Sequence, residues 1–166
     1  MIKQTRLLSF ACALLLAGCA TWNQPKVVAG DSLDTVRTRM GNPTNVYPLP
    51  QGGQEFEYAT GPFGQRTWMV RFDANGKVLA AEQVLRGETF AKLRIGESKK
   101  EDVLRLVGRP SETSRVFLGN FEVWSYRYKE NDVWNSMMHV HFDERGVVKL
   151  VQNGPDPMYD DRRPFR

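Results

Sequence analysis

Residues 96–110, GESKKEDVLRLVGRP, contain the signals that decide the fold. Apolar residues recur there at helical spacing, at Val103, Leu104 and Val107. Ser98 can cap the helix, and Glu101 three residues later can complete a capping box. Gly108 can adopt the left-handed turn that ends a helix, and Pro110 prevents its continuation. The stretch therefore predicts a short amphipathic helix that starts at Ser98 and stops at Gly108.

A second, weaker copy of this stretch lies earlier in the chain, at residues 30–43, GDSLDTVRTRMGNP. Its apolar residues also have helical spacing, at Leu33, Val36 and Met40. Asp31 or Ser32 can cap this helix, while Gly41 and Pro43 can stop it. The shared order of signals predicts an internal duplication in which each unit opens with a helix.

After each helix the apolar period changes from helical to two, which predicts antiparallel strands. The alternating residues are Trp68, Val70 and Phe72 in the first unit, and Met138, Val140 and Phe142 in the second. Both strands enter turns that begin with Asp and end with Gly, at residues 73–76 and 143–146. We predict an α+β fold of two tandem repeats, 27–85 and 86–153, each a helix followed by an antiparallel sheet, with helices packed on one face of the sheet.

A further strand in each unit is rich in aromatic residues: Phe56 and Tyr58 in the first, and Trp124, Tyr126 and Tyr128 in the second. Alternating aromatic residues are typical of a strand face buried beneath helices. The same face could alternatively serve as a binding platform. We favour the core interpretation.

The first residues predict a lipoprotein signal peptide over residues 1–18. Lys3 and Arg6 precede an apolar run at residues 7–16, which is too short to span a bilayer because a spanning helix needs about 20 residues. The run ends in Leu-Ala-Gly followed by Cys19, which resembles the lipobox of lipoprotein precursors. We therefore expect lipid attachment at Cys19, a lipid-anchored linker over residues 19–26, and, because Ala20 rather than Asp follows, location at the outer membrane.

The charge and cysteine content exclude several classes of function. Loss of residues 1–18 removes Lys3 and Arg6, so 21 basic residues face 19 acidic ones, and the net charge falls from +4 to +2. No basic stripe of the kind that binds nucleic acid is present. Cys12 leaves with the signal peptide and lipid occupies Cys19, so no thiol remains for redox chemistry or nucleophilic catalysis.

The two histidines, His139 and His141, share one face of a predicted strand and are the best candidates for a metal site. No third His and no free Cys supports them, so a solvated or partner-facing sheet surface explains them better. No sequence motif typical of hydrolases or nucleotide-binding enzymes occurs. We predict a protein that is not an enzyme and uses no cofactor or metal.

Two aromatic residues occupy equivalent hairpins among turn-forming residues: Phe63 in Gly61-Pro62-Phe63-Gly64, and Trp134 after Asn131-Asp132-Val133. If exposed, Phe63 and Trp134 would be candidate anchors for a protein partner. The alternative is that each ring folds back onto its own sheet. Beyond these hairpins and the last strand, residues 154–166 contain three prolines and alternating charges, which predicts a disordered tail.

The order of these motifs resembles the BamE (SmpA/OmlA) lipoprotein domain: Gly-x-Ser, a valine-bearing helix, Gly-x-Pro, an aromatic strand and Phe-Asp-x-x-Gly, found here twice. The β-lactamase inhibitory proteins share that fold in tandem. The resemblance implies a lipoprotein at the periplasmic face of the outer membrane, held there by its N-terminal lipid, with an envelope protein partner such as the machinery that assembles β-barrel proteins.

Three functions are compatible with this reading. The leading hypothesis is a protein-binding or scaffolding lipoprotein that serves outer membrane protein assembly or envelope maintenance. The second is an inhibitor-type protein that clasps one enzyme through its sheet face. The third is a small-ligand or lipid-binding envelope protein. From Cys19 to Gly30 the chain can extend at most about 36 to 40 Å, so any partner must lie near the membrane.

Overall fold

The computed structural model describes residues 27–117 and 119–159. The first unit contains α1 (Leu33–Met40), β1 (Asn45–Pro48), β2 (Gln54–Ala59), β3 (Thr67–Phe72) and β4 (Val78–Gln83). The second contains α2 (Gly87–Phe90), α3 (Lys100–Val107), β5 (Glu112–Val116), β6 (Phe121–Glu130), β7 (Trp134–Phe142) and β8 (Val148–Pro155). A short 3-10 helix follows at Pro157–Tyr159.

The predicted signal peptide (residues 1–18), the lipid-attachment residue Cys19 and the linker at residues 19–26 lie outside the described residues. In residues 27–117 and 119–159, no helix combines the length and the apolar character needed to cross a membrane. Lipid attachment at Cys19 therefore stays a prediction.

Each unit forms a four-stranded antiparallel sheet in which neighbouring strands follow one another along the chain. Sheet A has the order β1-β2-β3-β4, and sheet B has the order β5-β6-β7-β8. Equivalent residues pair in the two sheets: Phe56 lies opposite Val70 in sheet A, and Trp124 lies opposite Val140 in sheet B. The predicted α+β class with two tandem repeats is confirmed.

Helix α1 has the boundaries that its sequence predicts. The backbone N–H of Thr35 donates to Ser32 Oγ at 3.2 Å, so Ser32 caps the helix. The helix ends at Gly41, whose φ of 81° is a conformation that glycine adopts readily. Val36 is fully buried and packs against one face of sheet A, together with Phe56, Tyr58, Val70, Phe72 and Val78.

Helix α3 begins later than predicted, and the expected capping box of Ser98 and Glu101 is wrong. Ser98 Oγ instead accepts from the backbone N–H of Arg94 at 3.0 Å, and Ser98 O accepts from Val148 N at 2.8 Å. These bonds hold residue 98 in the preceding turn and against sheet B. The helix then begins at Lys100, where the backbone N–H of Lys99 donates to Asp102 Oδ2 at 2.8 Å.

The aromatic residues of β6 belong to the core of the second unit. Trp124, Tyr126 and Tyr128 are buried with Phe90, Val103, Val107, Val140 and Phe142. The ring of Phe90 on α2 makes edge contacts with Tyr126 and Tyr128, with centroids 5.4 and 5.6 Å apart. Burial raises the pKa of Tyr128 to about 12. The core interpretation is confirmed, and the binding-platform alternative is wrong for these three side chains.

The units stack in the order α1, sheet A, α2 and α3, sheet B. The outer face of sheet A, opposite α1, carries the buried residues Glu55, Glu57, Thr67 and Met69. The C-terminal end of α3 lies against this face, where Arg105 Nη1 donates to Pro48 O at 3.0 Å. Each sheet thus packs one face against the helices of its own unit, as predicted. The other face of sheet A is covered by the second unit.

The predicted disordered tail is wrong for residues 154–159. Strand β8 continues to Pro155, and the 3-10 helix occupies Pro157–Tyr159. Between them Asp156 is buried, and its backbone N–H donates to Asn135 O at 3.0 Å. Pairing with β7 supplies partners that the local sequence does not reveal. Residues 160–166 of the predicted tail lie outside the described residues.

Candidate partner-binding site

The loop that carries Phe63 joins β2 to β3 and closes on itself. Thr60 Oγ1 donates to Arg66 O at 2.8 Å, and the backbone N–H of Gly64 donates to Gly61 O at 3.0 Å. A Cβ atom at Gly64 would collide with Thr60, so the tight closure requires glycine there. The closed loop directs Phe63 outward, and 65% of that residue is exposed.

The connection that carries Trp134 is a tight hairpin between β6 and β7. Asn131 and Asp132 have φ values of 51° and 59°, and the backbone N–H of Val133 donates to Glu130 O at 3.0 Å. Two successive residues with positive φ are typical of the type I′ turn, which Asn and Asp tolerate better than most residues. Trp134 is the first residue of β7 and is 67% exposed.

A hydrogen bond between the two units joins these hairpins: Gln65 Nε2 donates to Asn135 Oδ1 at 2.9 Å. Phe63 and Trp134 therefore lie at the same end of the molecule, although they belong to different units. The alternative in which each ring folds back onto its own sheet is wrong. Three further exposed apolar residues lie in the same hairpin or the adjoining 3-10 helix, and we call the whole set the aromatic end: Phe63, Val133, Trp134, Met158 and Tyr159.

An ion pair lies beneath the aromatic end. Arg127 Nε lies 3.5 Å from Asp156 Oδ2, and both side chains are largely buried. Neither of those two atoms has a hydrogen-bond partner among the described residues, so the pairing is electrostatic. Asp156 Oδ1 accepts from the backbone N–H of Met158, and the guanidinium of Arg127 lies 6.0 Å from the ring centre of Phe63. The pair thus links the three segments that form the aromatic end.

A buried carboxylate fixes the position of the two units. Glu57 is 0% exposed and accepts from Asn45 Nδ2 at 2.9 Å, Tyr47 Oη at 2.7 Å and the backbone N–H of Arg109 at 2.8 Å. Three donors around one carboxylate compensate for the loss of water. Burial and the hydrogen bond to Glu57 raise the pKa of Tyr47.

Gly108 allows this close approach. A Cβ atom there would lie 2.8 Å from Glu57 Oε1 and 3.0 Å from Thr67 Cγ2, so a larger residue would push the units apart.

The two histidines lie on the outer face of sheet B. Ser125 Oγ is 2.8 Å from His139 Nδ1 across neighbouring strands, and burial lowers the pKa of both His139 and His141. Across residues 27–117 and 119–159, no group of three or more His, Cys, Asp or Glu side chains could hold a metal ion. His139 thus takes part in a cross-strand hydrogen bond with Ser125, and both histidines lie on a partly buried face of sheet B.

Sequence reasoning proposed Phe63 and Trp134 as candidate anchors but missed the residues that bring them together. Gln65, Asn135 and Glu57 are polar residues in loops or at alternating strand positions, where solvent exposure is the usual expectation. Asp156 lies in a proline-containing segment that predicts disorder. Gln65 and Asn135 find their partners across the two units, Glu57 finds one of its donors there, and Asp156 pairs with Arg127 within the second unit.

The fold and this end of the molecule define a tandem α+β module: two helix-on-sheet units, packed through a buried carboxylate, that present exposed aromatic residues from both. Residues 83–152 match the family model described as "Outer membrane protein assembly factor BamE domain". The matched range covers residues 86–152 of the second unit and only residues 83–85 of the first. A search of curated proteins found no match.

Three solved structures show a loose likeness. A DUF4309 family protein from Bacillus subtilis is 11% identical, with 84% of each chain covered and a TM-score of 0.33. A putative beta-lactamase inhibitor protein from Streptococcus mutans is 17% identical, with 89% of this chain and 96% of that chain covered and a TM-score of 0.30. A cysteine-rich secretory protein from Staphylococcus aureus is 14% identical, with 78% and 45% covered and a TM-score of 0.30.

Proposed function

We propose that this chain is an outer-membrane lipoprotein that binds a protein partner through its aromatic end and serves outer membrane protein assembly. The observation that carries the proposal is the hydrogen bond from Gln65 to Asn135, which brings the exposed aromatic residues of both units to one end. Exposed aromatic side chains held on a rigid scaffold are typical anchors of protein interfaces. The match of residues 83–152 to the BamE domain supports the assembly role.

The proposed location rests on the N-terminal sequence. Lipid attachment at Cys19 would hold the body at the periplasmic face of the outer membrane, within reach of envelope proteins only. The protein would use no cofactor and catalyse no reaction, and its work would be to hold a partner in place.

An inhibitor-type protein remains the main alternative. Such a protein could not clasp an enzyme through the outer face of sheet A, because Glu57 and Met69 on that face are buried against the second unit. An inhibitor would therefore have to use the aromatic end or the outer face of sheet B.

A small-ligand function would use the cavity between sheet A and helices α2 and α3. This cavity has a volume of about 480 Å³. Its lining includes seven charged side chains: Glu55, Arg71, Glu82, Arg86, Glu88, Lys92 and Arg105. Such a lining suits water or a polar ligand better than a fatty-acyl chain, so the lipid-carrier version of this hypothesis is the weaker one.

Crosslinking in intact cells followed by purification of the native lipoprotein tests the proposal. Components of the barrel-assembly machinery should copurify. Recovery of a single hydrolase would favour the inhibitor hypothesis, and the absence of any protein partner would favour the small-ligand hypothesis.

The role of Trp134 is tested with the partner so identified. Trp134→Ala should weaken binding by about 2 kcal/mol or more, roughly 30-fold in Kd, with an almost unchanged melting temperature. Ile95→Ala is a matched control, because Ile95 is 61% exposed and lies in the second unit away from the aromatic end. Equal affinity of both variants would remove Trp134 from the interface.

A further inference from the structure

The two units are oriented in parallel, so the molecule has two distinct ends. At its start α3 lies beside the 143–146 turn, where the backbone N–H of Lys100 donates to Gly146 O. At its C-terminal end the helix meets the middle of sheet A through Arg109 and Glu57, and Arg105 reaches back to Pro48. The turns at 73–76 and 143–146 therefore lie at one end, which we call the turn end, opposite the aromatic end.

The chain enters the body at the turn end. The backbone N–H of Gly30 donates to Val78 O at 2.9 Å, and Val78 begins β4 directly after the 73–76 turn. Between Cys19 and Val27, the first described residue, eight residues can span at most roughly 26 to 29 Å. A lipid on Cys19 would thus keep the turn end close to the bilayer.

The turn end also carries the most exposed large apolar side chain of the described residues. Phe117 is 91% exposed at the tip of the β5–β6 hairpin, and the adjacent Val116 is 40% exposed. The backbone N–H of Asn120 donates to Phe117 O at 3.2 Å, and Asn120 Nδ2 donates to Glu144 Oε1, which fixes the tip beside the 143–146 turn. The Phe117 ring is therefore not packed in either core and projects from the body.

The turn end carries acidic and basic side chains, and the exposed Glu144 beside the tip is bonded to Asn120. Asp73 and Asp143 each accept two backbone N–H groups of their own turns, and hydrogen bonding to Val147 holds the pKa of Asp143 below its usual range. Both carboxylates are therefore hydrogen-bonded to the backbone of their own turns. The basic residues of the same turns, Lys77 and Arg145, are exposed and can reach outward.

We infer that the hairpin tip carrying Phe117 contacts the lipid bilayer to which Cys19 is attached. The inference rests on the proposed lipid attachment. A phenylalanine at the level of the headgroups gains apolar contact while Lys77 and Arg145 meet lipid phosphates. The tip and the lipid on Cys19 then keep the turn end facing the bilayer. Strand β6, with ten residues, separates the bilayer from the aromatic end by roughly 30 Å. The partner of Phe63 and Trp134 is accordingly met on the side away from the membrane.

Phe63 provides a matched control for Phe117, because both are exposed phenylalanines in hairpins at opposite ends. Phe117→Cys and Phe63→Cys are each prepared as the full lipoprotein, reconstituted in phosphatidylcholine vesicles and labelled with a nitroxide. The lipid occupies the sulfur of Cys19, so each variant has one free thiol. Collision rates with oxygen, which concentrates in lipid, and with a water-soluble nickel complex are then measured with and without vesicles.

We expect vesicles to lower the nickel collision rate of the label at position 117 several-fold and to raise its oxygen collision rate, with no change at position 63. Equal exposure of both labels to water would overturn the inference, and so would shielding of position 63 instead. Failure of lipid attachment gives a different result from failure of the bilayer contact. If Cys19 is not acylated, mass spectrometry finds a second label on the protein, and the protein does not sediment with vesicles.

Discussion

The side chain of Glu57 in the first unit accepts a hydrogen bond from the backbone N–H of Arg109 in the second, at 2.8 Å. The acceptor is fully buried, and the donor follows the glycine that ends α3. One bond therefore connects the middle of sheet A to the end of the helix that covers sheet B. The relative position of the two hairpins at the aromatic end depends on this packing.

Removal of the Glu57 carboxylate should destabilise the whole protein. Glu57→Ala leaves the partly buried Asn45 and Tyr47 and the Arg109 N–H without their acceptor, so we expect a loss of about 3 kcal/mol in the free energy of unfolding. Urea denaturation followed by circular dichroism measures it. Glu57→Gln, which retains one acceptor oxygen, should lose less. The exposed Glu82→Ala is the control, and an equal effect there would contradict the assignment.

The second unit should not fold well by itself. Residues 86–153 form a body of only about 70 residues, a size at which one core is marginal, and isolation would expose the helix surface that sheet A covers. We expect a fragment of these residues to melt broadly and well below the full chain. A sharp, reversible melt of the fragment at the full-length temperature would show that the units are independent.

Two truncations distinguish the folded part of the C-terminal segment from the rest. A chain ending at Pro155 loses Asp156 and leaves the largely buried Arg127 with only the more exposed Glu112, 3.9 Å from its Nη2, so its free energy of unfolding should fall by about 2 kcal/mol or more. A chain ending at Tyr159 keeps the ion pair and should unfold like the full protein. Comparable stability of the two truncated chains would mean that the pair contributes little.

His139 should make stability depend on pH. Burial lowers its pKa in the folded protein, so below about pH 6.5 the unfolded chain binds a proton more readily than the folded one. Stability from this group is present above the unfolded pKa and is lost as the pH falls below it. His139→Gln should therefore flatten the fall in unfolding free energy between about pH 7 and pH 5. An unchanged slope in that variant would assign the dependence to other groups.

Lipid attachment is tested by location. Cys19→Ser should leave a soluble periplasmic protein or an uncleaved precursor, because without the lipid the body has only the reversible proposed contacts of Phe117 with lipid and of the aromatic end with a partner. Cell fractionation at high salt measures the distribution. A variant that still sediments fully with outer membrane would disprove anchoring through Cys19.

The local sequence was sufficient to predict the repeated element order. The apolar period changes from 3.6 to 2 after each Gly-x-Pro, and this change depends only on which side chains of a short segment face the core. The hairpins at Asn131 and at Asp143 are likewise local, because the conformation of a turn is set by the few residues within it. For the same reason Phe63 and Trp134 were identifiable as candidate anchors from their own hairpins.

The tertiary structure alone decided how the two units meet. Glu57 is buried although its strand position, alternating with Phe56 and Tyr58, predicts exposure, because a second unit covers that face. Ser98 does not cap α3, because its carbonyl accepts from Val148 in the strand after the distant 143–146 turn. Asp156 is held in place by its ion pair with Arg127. Such contacts join residues far apart in the chain, and their free energy depends on a geometry that exists only after both sheets have formed. The sequence thus determined the units, and packing determined the surface they share.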